Sequence, residues 1–110
     1  MAQAKTENFT SKQNKVATLL KALGHPARVA IVEYLIKCES CVCGDIVDQL
    51  PLAQATVSQH LKALKEAGII QGTVEGTSVC YCIDKSAIQF LRNYLIALSD
   101  RIEQQSQHCC

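Results

Sequence analysis

The chain has 110 residues, with 11 basic and 10 acidic side chains and a formal net charge of +1. Hydrophobic residues make up 48%, and glycine (5) and proline (2) are few, which excludes disordered, collagen-like and low-complexity proteins. No apolar stretch approaches the ~18 residues of a membrane-spanning helix, and the polar start MAQAKTENFTSKQNK lacks a signal-peptide core. These features predict a single cytoplasmic domain.

Cysteine content and charge distribution narrow the function classes further. Seven cysteines are about 6% of the chain, below the ~8–10% of a secreted disulfide scaffold. Their odd number and a reducing compartment favour metal binding or redox chemistry over structural disulfides. The low net charge alone argues against nucleic-acid binding. Residues 1–37, however, hold six basic and two acidic side chains, so a local charge of +4 is available to meet phosphates.

Apolar residues at helical spacing predict two helices in the first part of the chain. The first begins at Thr10 or Ser11 and is closed by Gly24, and the second opens at Pro26. Residues 1–10 are expected to form a flexible arm. The positions expected to face the core are Val16, Leu19, Leu20 and Leu23 in the first helix and Val29, Val32, Leu35 and Ile36 in the second.

Two further helices are expected on either side of a tight break at residues 51–53. A short third helix, stopped by Pro51, is predicted from the spacing of Val42, Ile46, Val47 and Leu50. The fourth helix runs from about Gln54 to Ala67 and ends at Gly68. Its apolar stripe consists of Val57, Leu61 and Leu64.

The hydrophobic period then changes to that of a β-hairpin. Residues 69–74 and 78–83 are predicted strands around the turn Glu75-Gly76-Thr77, and Asp84 caps a last helix that reaches about Gln105. The last helix carries a seam spaced like a heptad repeat, which predicts self-association. The expected dimer interface comprises Leu19, Ile88, Leu91, Leu95, Leu98 and Ile102.

This order of elements predicts a mainly α protein with a small β-hairpin, a homodimeric winged helix-turn-helix over residues 11–106, followed by a flexible tail, 107–110. The fourth helix would read DNA, because its polar face offers amides and hydroxyls for base edges and lysines for phosphates. His60 on this face is either a DNA contact or a structural hydrogen-bonding residue, and His25 is expected to cap the second helix. The predicted DNA-binding residues are Gln54, Thr56, Ser58, Gln59, His60, Lys62 and Lys65.

Three cysteines in the segment CESCVC, Cys38, Cys41 and Cys43, form a candidate effector site. Thiolates prefer soft ions, and three of them around As(III) or Sb(III) make a neutral pyramid. On a helix, Cys41 and Cys43 would point about 200° apart. Binding one ion with both would therefore unwind the first turn of the third helix and move the fourth.

The stretches KALGHPARVAIVEYL, CVCGDIV, ATVSQHLKALKEAGII and GTSVCYCI resemble the ArsR/SmtB family of bacterial metalloregulatory repressors over about residues 13–103. The resemblance implies a homodimer that binds an inverted-repeat operator in double-stranded DNA and releases it when a metal or metalloid binds. CVC resembles the thiolate site of arsenic- and cadmium/lead-type repressors. Arsenic sensors often carry a third cysteine where this chain has Ile46, so Cys38 is taken as the third ligand, ahead of Cys109 and Cys110.

Several alternatives stay open at the level of the sequence. A repressor sensing Cd(II), Pb(II) or Zn(II) would use four thiolates, and a redox sensor would close Cys38–Cys41 or Cys41–Cys43 into a disulfide. Cys80 and Cys82 alternate onto one strand face and are expected to pack, with a ligand role as the second choice. The turn Glu75-Gly76-Thr77 lacks the basic residue that many relatives carry, so its minor-groove contact is expected to be weak. No catalytic motif appears, and the chain is not expected to be an enzyme.

Overall fold

The computed structural model describes residues 6–38, 41–43, 46, 50–76 and 78–105. In chain order the elements are a short 3-10 turn (Thr6–Asn8), α1 (Ser11–Leu23), α2 (Pro26–Cys38), β1 (Val42–Cys43), α3 (Gln54–Glu66), β2 (Ile70–Glu75), β3 (Ser78–Ile83) and α4 (Lys85–Glu103). The strands form one antiparallel sheet in the order β1-β3-β2. None of the described helices has the length and apolar character needed to cross a membrane.

The helix ends follow local capping chemistry that the sequence encodes. Thr10 and Gln13 form a reciprocal capping box at the start of α1, with both hydrogen bonds 3.0 Å long. At the start of α2, the backbone N–H of Ala27 donates to Nδ1 of His25 at 3.0 Å, which confirms His25 as a cap. Gly68, which follows α3, has a φ of 84°, a left-handed conformation that glycine adopts without steric cost.

Asp84 joins the β-hairpin to the start of α4. Its Oδ1 accepts hydrogen bonds from the backbone N–H groups of Ser86 and Ala87 and from the Ser86 hydroxyl, and its Oδ2 accepts one from Gln71 Nε2 at 3.2 Å. The hydrogen bonds from the Ser86 hydroxyl, Gln71 and the Ala87 N–H lower the pKa of the Asp84 carboxyl. The predicted N-cap is confirmed, and it also fixes the direction in which α4 leaves the sheet.

One hydrophobic core lies between α1, α2, α3 and the sheet. The predicted stripe of α3 is confirmed, because Val57, Leu61 and Leu64 are all buried. Leu20, Val29 and Ile36 were predicted to face the core but are exposed. α1 and α2 bury a narrower stripe of residues than the sequence suggests. The largest fully buried side chains are those of Ile31, Leu64, Ile69, Ile70 and Val57.

The first two turns of α4 pack on this core, whereas its second half extends beyond it. Leu19 and Leu91 were predicted at a dimer interface, but they are 2% and 8% exposed because they pack inside their own chain. Ile88 and Leu98 are half-buried, and Leu95 and Ile102 are exposed. Ile96, which the heptad spacing omits, is 50% exposed and adds to the apolar surface of α4.

The predicted third helix is wrong at its start, where Val42 and Cys43 form strand β1. Their backbones pair with β3, with Val42 opposite Tyr81 and Cys43 opposite Cys80. This non-local pairing overrides the helical spacing of the apolar residues. Ile46 lies in a turn and is 2% exposed. Other parts of the predictions lie outside the described residues: most of the rest of this helix, residues 1–5 of the arm, Thr77 of the turn, and the tail with Cys109 and Cys110.

A buried polar junction holds α3 against the start of α2. His60, 9% exposed, accepts a hydrogen bond from Arg28 Nε at Nδ1 (3.1 Å), and its ring centroid lies 4.4 Å from that of His25. Arg28 also donates to the backbone oxygen of Ala22 at 3.3 Å. Burial first, and then the nearby charges of His25 and Arg28, lower the pKa of His60. Of the two roles expected for His60, the geometry corresponds to the structural one.

Because its pKa is lowered in the folded state, neutral His60 contributes stability that is complete above the unfolded value of about 6.5 and is lost as the pH falls through the folded pKa. His60→Asn keeps an acceptor near the position of Nδ1 but cannot titrate. We expect its free energy of unfolding, measured by urea denaturation, to fall less between pH 8 and pH 5 than that of the wild type. His25→Asn, which keeps the cap and removes one nearby charge, should give an intermediate slope. Parallel pH profiles for all three proteins would contradict this account.

Candidate nucleic-acid interface and thiol site

The exposed face of α3 carries most of the residues predicted to read DNA. Gln54, Ser58 and Lys62 follow one another at intervals of four residues and therefore lie along one face of the helix. All three are exposed, as are Gln59 and Lys65, while Thr56 is half-buried. The apolar stripe on the other side of α3 fixes this orientation. The structure thus exposes five of the seven predicted residues, while Thr56 is half-buried and His60 is buried.

The charge on this face is only weakly neutralised. Lys62 Nζ lies 3.9 Å from a carboxylate oxygen of Glu66, with the two side chains 78% and 66% exposed. An exposed pair of this kind contributes ~0–1 kcal/mol and is screened by salt. Lys62 can therefore exchange Glu66 for a phosphate at little cost.

The base of the hairpin contacts α3 around Gly72 of β2. A Cβ atom built on Gly72 would lie 3.3 Å from Tyr81 Cε1 and 3.4 Å from Lys65 Nζ. Tyr81 pairs with Gly72 across the hairpin and with Val42 on its other side. The Lys65 side chain thus lies beside β2, at the residue that pairs with Tyr81 of β3, and the absence of a side chain at Gly72 lets both approach.

A disulfide joins Cys41, immediately before β1, to Cys82 on β3. Their Cα atoms are 4.5 Å apart, the spacing of a non-hydrogen-bonded antiparallel pair, in which opposing side chains approach most closely. Cys82 was expected to pack, with a ligand role as the second choice, and the structure places it in a disulfide. Cys80 is 2% exposed and also disulfide-bonded, so it too does more than pack. In the backbone register, Cys43 lies opposite Cys80.

Of the other predicted thiol ligands, the side chain of Cys43 and residues Cys109 and Cys110 lie outside the described part of the structure. Cys38 ends α2 and is half-buried. Within the described ranges, no group of three or more cysteine, histidine, aspartate or glutamate side chains is placed to hold a metal ion. The described cysteines of this sheet edge are therefore Cys41, Cys82 and the disulfide-bonded Cys80. Sequence spacing missed the pairing of Cys41 with Cys82 because the two cysteines are 41 residues apart.

An open cleft of about 570 Å³ adjoins the cysteine pair. It lies between the end of α2, the end of β3 and the first turns of α4. Its walls are mostly apolar, with one lysine and one glutamine. The lining residues are Leu35, Ile36, Cys41, Cys82, Ile83, Lys85, Ile88 and Gln89.

Comparison with protein families and curated proteins places the chain among transcriptional regulators. The model for bacterial regulatory proteins of the arsR family matches residues 25–71. The chain is 39% identical over 83 residues to an uncharacterised HTH-type transcriptional regulator of Methanocaldococcus jannaschii, covering 74% of this chain and 92% of that protein. It is 38% identical over 84 residues to a CadC homolog, a cadmium resistance regulatory protein of Staphylococcus aureus, covering 74% and 69%.

A third relative and two solved structures agree with this placement. The arsenical resistance operon repressor of Staphylococcus xylosus is 26% identical over 95 residues, covering 86% of each chain. The crystal structure of an ArsR family regulator, RHA00566, superposes with a TM-score of 0.75 at 18% identity, covering 96% of this chain and all of that one. The homodimeric winged helix-turn-helix domain of Mb0332 from Mycobacterium bovis gives 0.65 at 22% identity and 99% coverage of both.

These likenesses confirm the predicted winged helix-turn-helix, in which the hairpin β2–β3 is the wing and α3 is the helix that precedes it. The family model covers the segment from the start of α2 to β2, and the relatives extend the match across most of the chain. The chain belongs to the ArsR family of bacterial DNA-binding transcriptional repressors.

Proposed function

We propose that the protein is a homodimeric, cytoplasmic repressor that binds an inverted-repeat operator and releases it when As(III) or Sb(III) binds cysteine thiolates. Cys41 and Cys43 are the primary ligands in this proposal and Cys38 is the third, with Cys109 and Cys110 as its substitutes. The names of two relatives, a cadmium resistance regulator and an arsenical resistance repressor, support a thiophilic inducer. A Cd(II)-, Pb(II)- or Zn(II)-responsive repressor with four thiolates is the alternative within the same class.

The observation that carries this proposal is the contact between Cys41 and Cys82. It ties Cys41, in the segment CESCVC, to β3, whose Tyr81 lies beside Gly72 of β2; Lys65 of α3 lies next to the same glycine. A ligand that takes the Cys41 thiolate must change this contact, and the change reaches α3 through the base of the wing. This route replaces the unwinding of a third helix, because Val42 and Cys43 are in a strand.

The unpaired apolar surface of α4 supports the dimer. Leu95, Ile96 and Ile102 are about half exposed or more, and Leu20 of α1 is exposed as well. α4 has 19 residues, of which only Ala87 and Leu91 are fully buried. A helix that extends apolar side chains beyond its own core is suited to pair with a second copy. In the dimer, two α3 helices would face successive half-sites of the operator.

The arsenite response can be tested on a DNA duplex selected by the reduced protein from a random-sequence pool. We expect arsenite to weaken binding of this duplex, measured by fluorescence anisotropy, by roughly 30- to 150-fold, a coupling of ~2–3 kcal/mol. Cys41→Ser and Cys43→Ser should bind the duplex normally and keep it in arsenite. The double substitution Cys109→Ser and Cys110→Ser distinguishes the third ligand: the variant should still respond when Cys38 supplies the third thiolate and should lose the response when the tail supplies it.

Two results would contradict the proposal. One is normal release by both Cys41→Ser and Cys43→Ser, which would remove these thiols from the effector site. The other is a wild-type complex that persists in arsenite, antimonite, cadmium and zinc alike, which would remove the soft-ion class of inducer.

A redox-sensing repressor is a second candidate, favoured by the bond between Cys41 and Cys82 itself. In this case peroxide would oxidise one thiolate to a sulfenic acid, and the second thiolate would displace hydroxide to give the disulfide. Each cycle consumes one peroxide and two thiols and forms two waters. Release of the duplex by hydrogen peroxide without any metal or metalloid, and its restoration by a phosphine reductant, would favour this candidate.

The proposed DNA contacts of α3 give a separate prediction. Gln54→Ala and Ser58→Ala should each weaken binding of the selected duplex by ~1–3 kcal/mol, because amide and hydroxyl groups reach base edges. Lys62→Ala should weaken selected and random duplexes alike and lower the salt dependence by about one ion. Gln105→Ala, exposed beyond α4, is the control and should bind like the wild type. Unchanged affinity in all three α3 variants would remove this face from the interface.

A further inference from the structure

We infer that the proton is a second effector of this repressor. Protonation of His60 at Nδ1 breaks its hydrogen bond with Arg28, loosens α3 from α2 and lowers the affinity for DNA. The inference shares with the proposed function only the assignment of α3 as the helix that reads DNA. It involves neither the cysteines nor a metal or metalloid, and it makes His60 a positioning residue rather than a DNA contact.

His60 lies where three helices meet at one buried point. It stands in the middle of α3, is 9% exposed, and accepts the hydrogen bond from Arg28 Nε at 3.1 Å. Arg28 belongs to α2 and also donates to the backbone oxygen of Ala22 in α1 at 3.3 Å. The exposed residues Ser58 and Lys62 flank His60 two positions away on either side. A change at this junction therefore acts on the segment of α3 that carries the proposed DNA contacts.

The hydrogen bond defines where a proton would bind. An imidazole nitrogen that accepts an N–H hydrogen bond carries no proton, so His60 is neutral and has its hydrogen on Nε2. We call α3 docked while this bond is present. A proton added at Nδ1 turns the acceptor into a donor that faces the N–H of Arg28, and it puts a second positive charge beside the guanidinium. Protonation and docking therefore exclude each other.

The start of α2 opposes the protonated form of His60. Burial of the imidazole, and then the nearby charges of His25 and Arg28, lower the pKa of His60. The ring of His25 has its centroid 4.4 Å away and accepts the Ala27 N–H at its own Nδ1. A proton at that nitrogen would remove the cap of α2, so both histidines hold the junction in their neutral form.

Charged side chains of the other elements packed on α3 do not offset this opposition. From α1, Lys21 lines a cleft of about 340 Å³ together with Arg28. Glu66 of α3 lines the same cleft, but its carboxylate lies 3.9 Å from Lys62 Nζ. On the side of β2, the neighbouring cation is Lys65 of α3 itself. By linkage, an added proton favours an arrangement in which α3 has left its docked position.

The sign of the effect separates it from ordinary charge attraction. A histidine that only faces DNA gains positive charge as the pH falls and strengthens the binding of phosphates. His60 acts in the opposite sense, because DNA binds the docked helix and the docked helix excludes the proton. The affinity for DNA should therefore be complete above the ordinary histidine pKa of about 6.5 and should fall as the pH drops through the lowered pKa of His60.

The test is a pH titration of binding to the selected duplex at constant salt, with a phosphine to keep the cysteines reduced and a chelator to remove metals. Between pH 7.5 and pH 5.5 we expect the wild type to lose at least about fivefold in affinity, while circular dichroism shows that it stays folded. His60→Asn keeps an acceptor near the position of Nδ1 but cannot titrate, so it should lose most of this pH dependence. His108→Asn removes a histidine far along the chain and is the matched control, which should respond like the wild type.

Titration of the His60 ring by NMR tests the linkage without any variant that could fail to fold. The imidazole C–H resonances of the full-length protein are followed between pH 8 and pH 5, with and without the duplex. We expect the pKa of His60 to be lower in the complex than in the free protein, whereas the field of the phosphates alone would raise it.

Two results would overturn the inference: a wild-type affinity that stays constant or rises as the pH falls, and a pKa of His60 that is equal or higher in the complex. The outcomes also separate it from the proposed function. Release of the duplex by acid but not by arsenite would leave the inference standing and remove the thiol site. Release by arsenite without any response to acid would do the reverse.

Discussion

The antiparallel pairing of β1 with β3 is the constraint on which the candidate site depends. Its backbone register sets residue 42 against residue 81 and residue 43 against residue 80, and Cys41, one residue earlier, meets Cys82. A shift of this register by one residue would move Cys41 away from Cys82. β3 is the central strand and pairs with both β1 and β2. The wing β2–β3 and the cysteine segment CESCVC (residues 38–43) are therefore joined through β3.

Contacts of the wing with the core, with α4 and with α3 connect β3 to the rest of the fold. Ile69 and Ile70 anchor the start of the wing in the core, and Asp84 ties its end to α4. Tyr81 of β3 and Lys65 of α3 both lie next to Gly72 of β2, so β2 connects β3 with the end of α3. On its opposite side, α3 is held by the junction of His60 with Arg28. α3 therefore lies between two regions of the fold. One is its buried junction with α2, and the other is the sheet, whose strand β3 carries the disulfide-bonded Cys82.

The sequence predicted the helices well because their ends are set by neighbours in the chain. The capping box at Thr10, the cap at His25 and the glycine at position 68 each act within a few residues. The thiol pairing was not predictable, since the two residues of β1 pair with partners 39 and 37 residues away and the apolar pattern of this segment also fits a helix. Heptad spacing likewise could not separate Leu91, which its own core buries, from Leu95.

The central claim is that thiol chemistry at β1 and β3 and DNA binding at α3 are coupled, and coupling is reciprocal. The most direct test is to measure the affinity of the reduced protein for arsenite with and without the selected DNA duplex. The account predicts that bound DNA weakens arsenite binding by the same factor by which arsenite weakens DNA binding. Equal arsenite affinities for the free and the DNA-bound protein would contradict it.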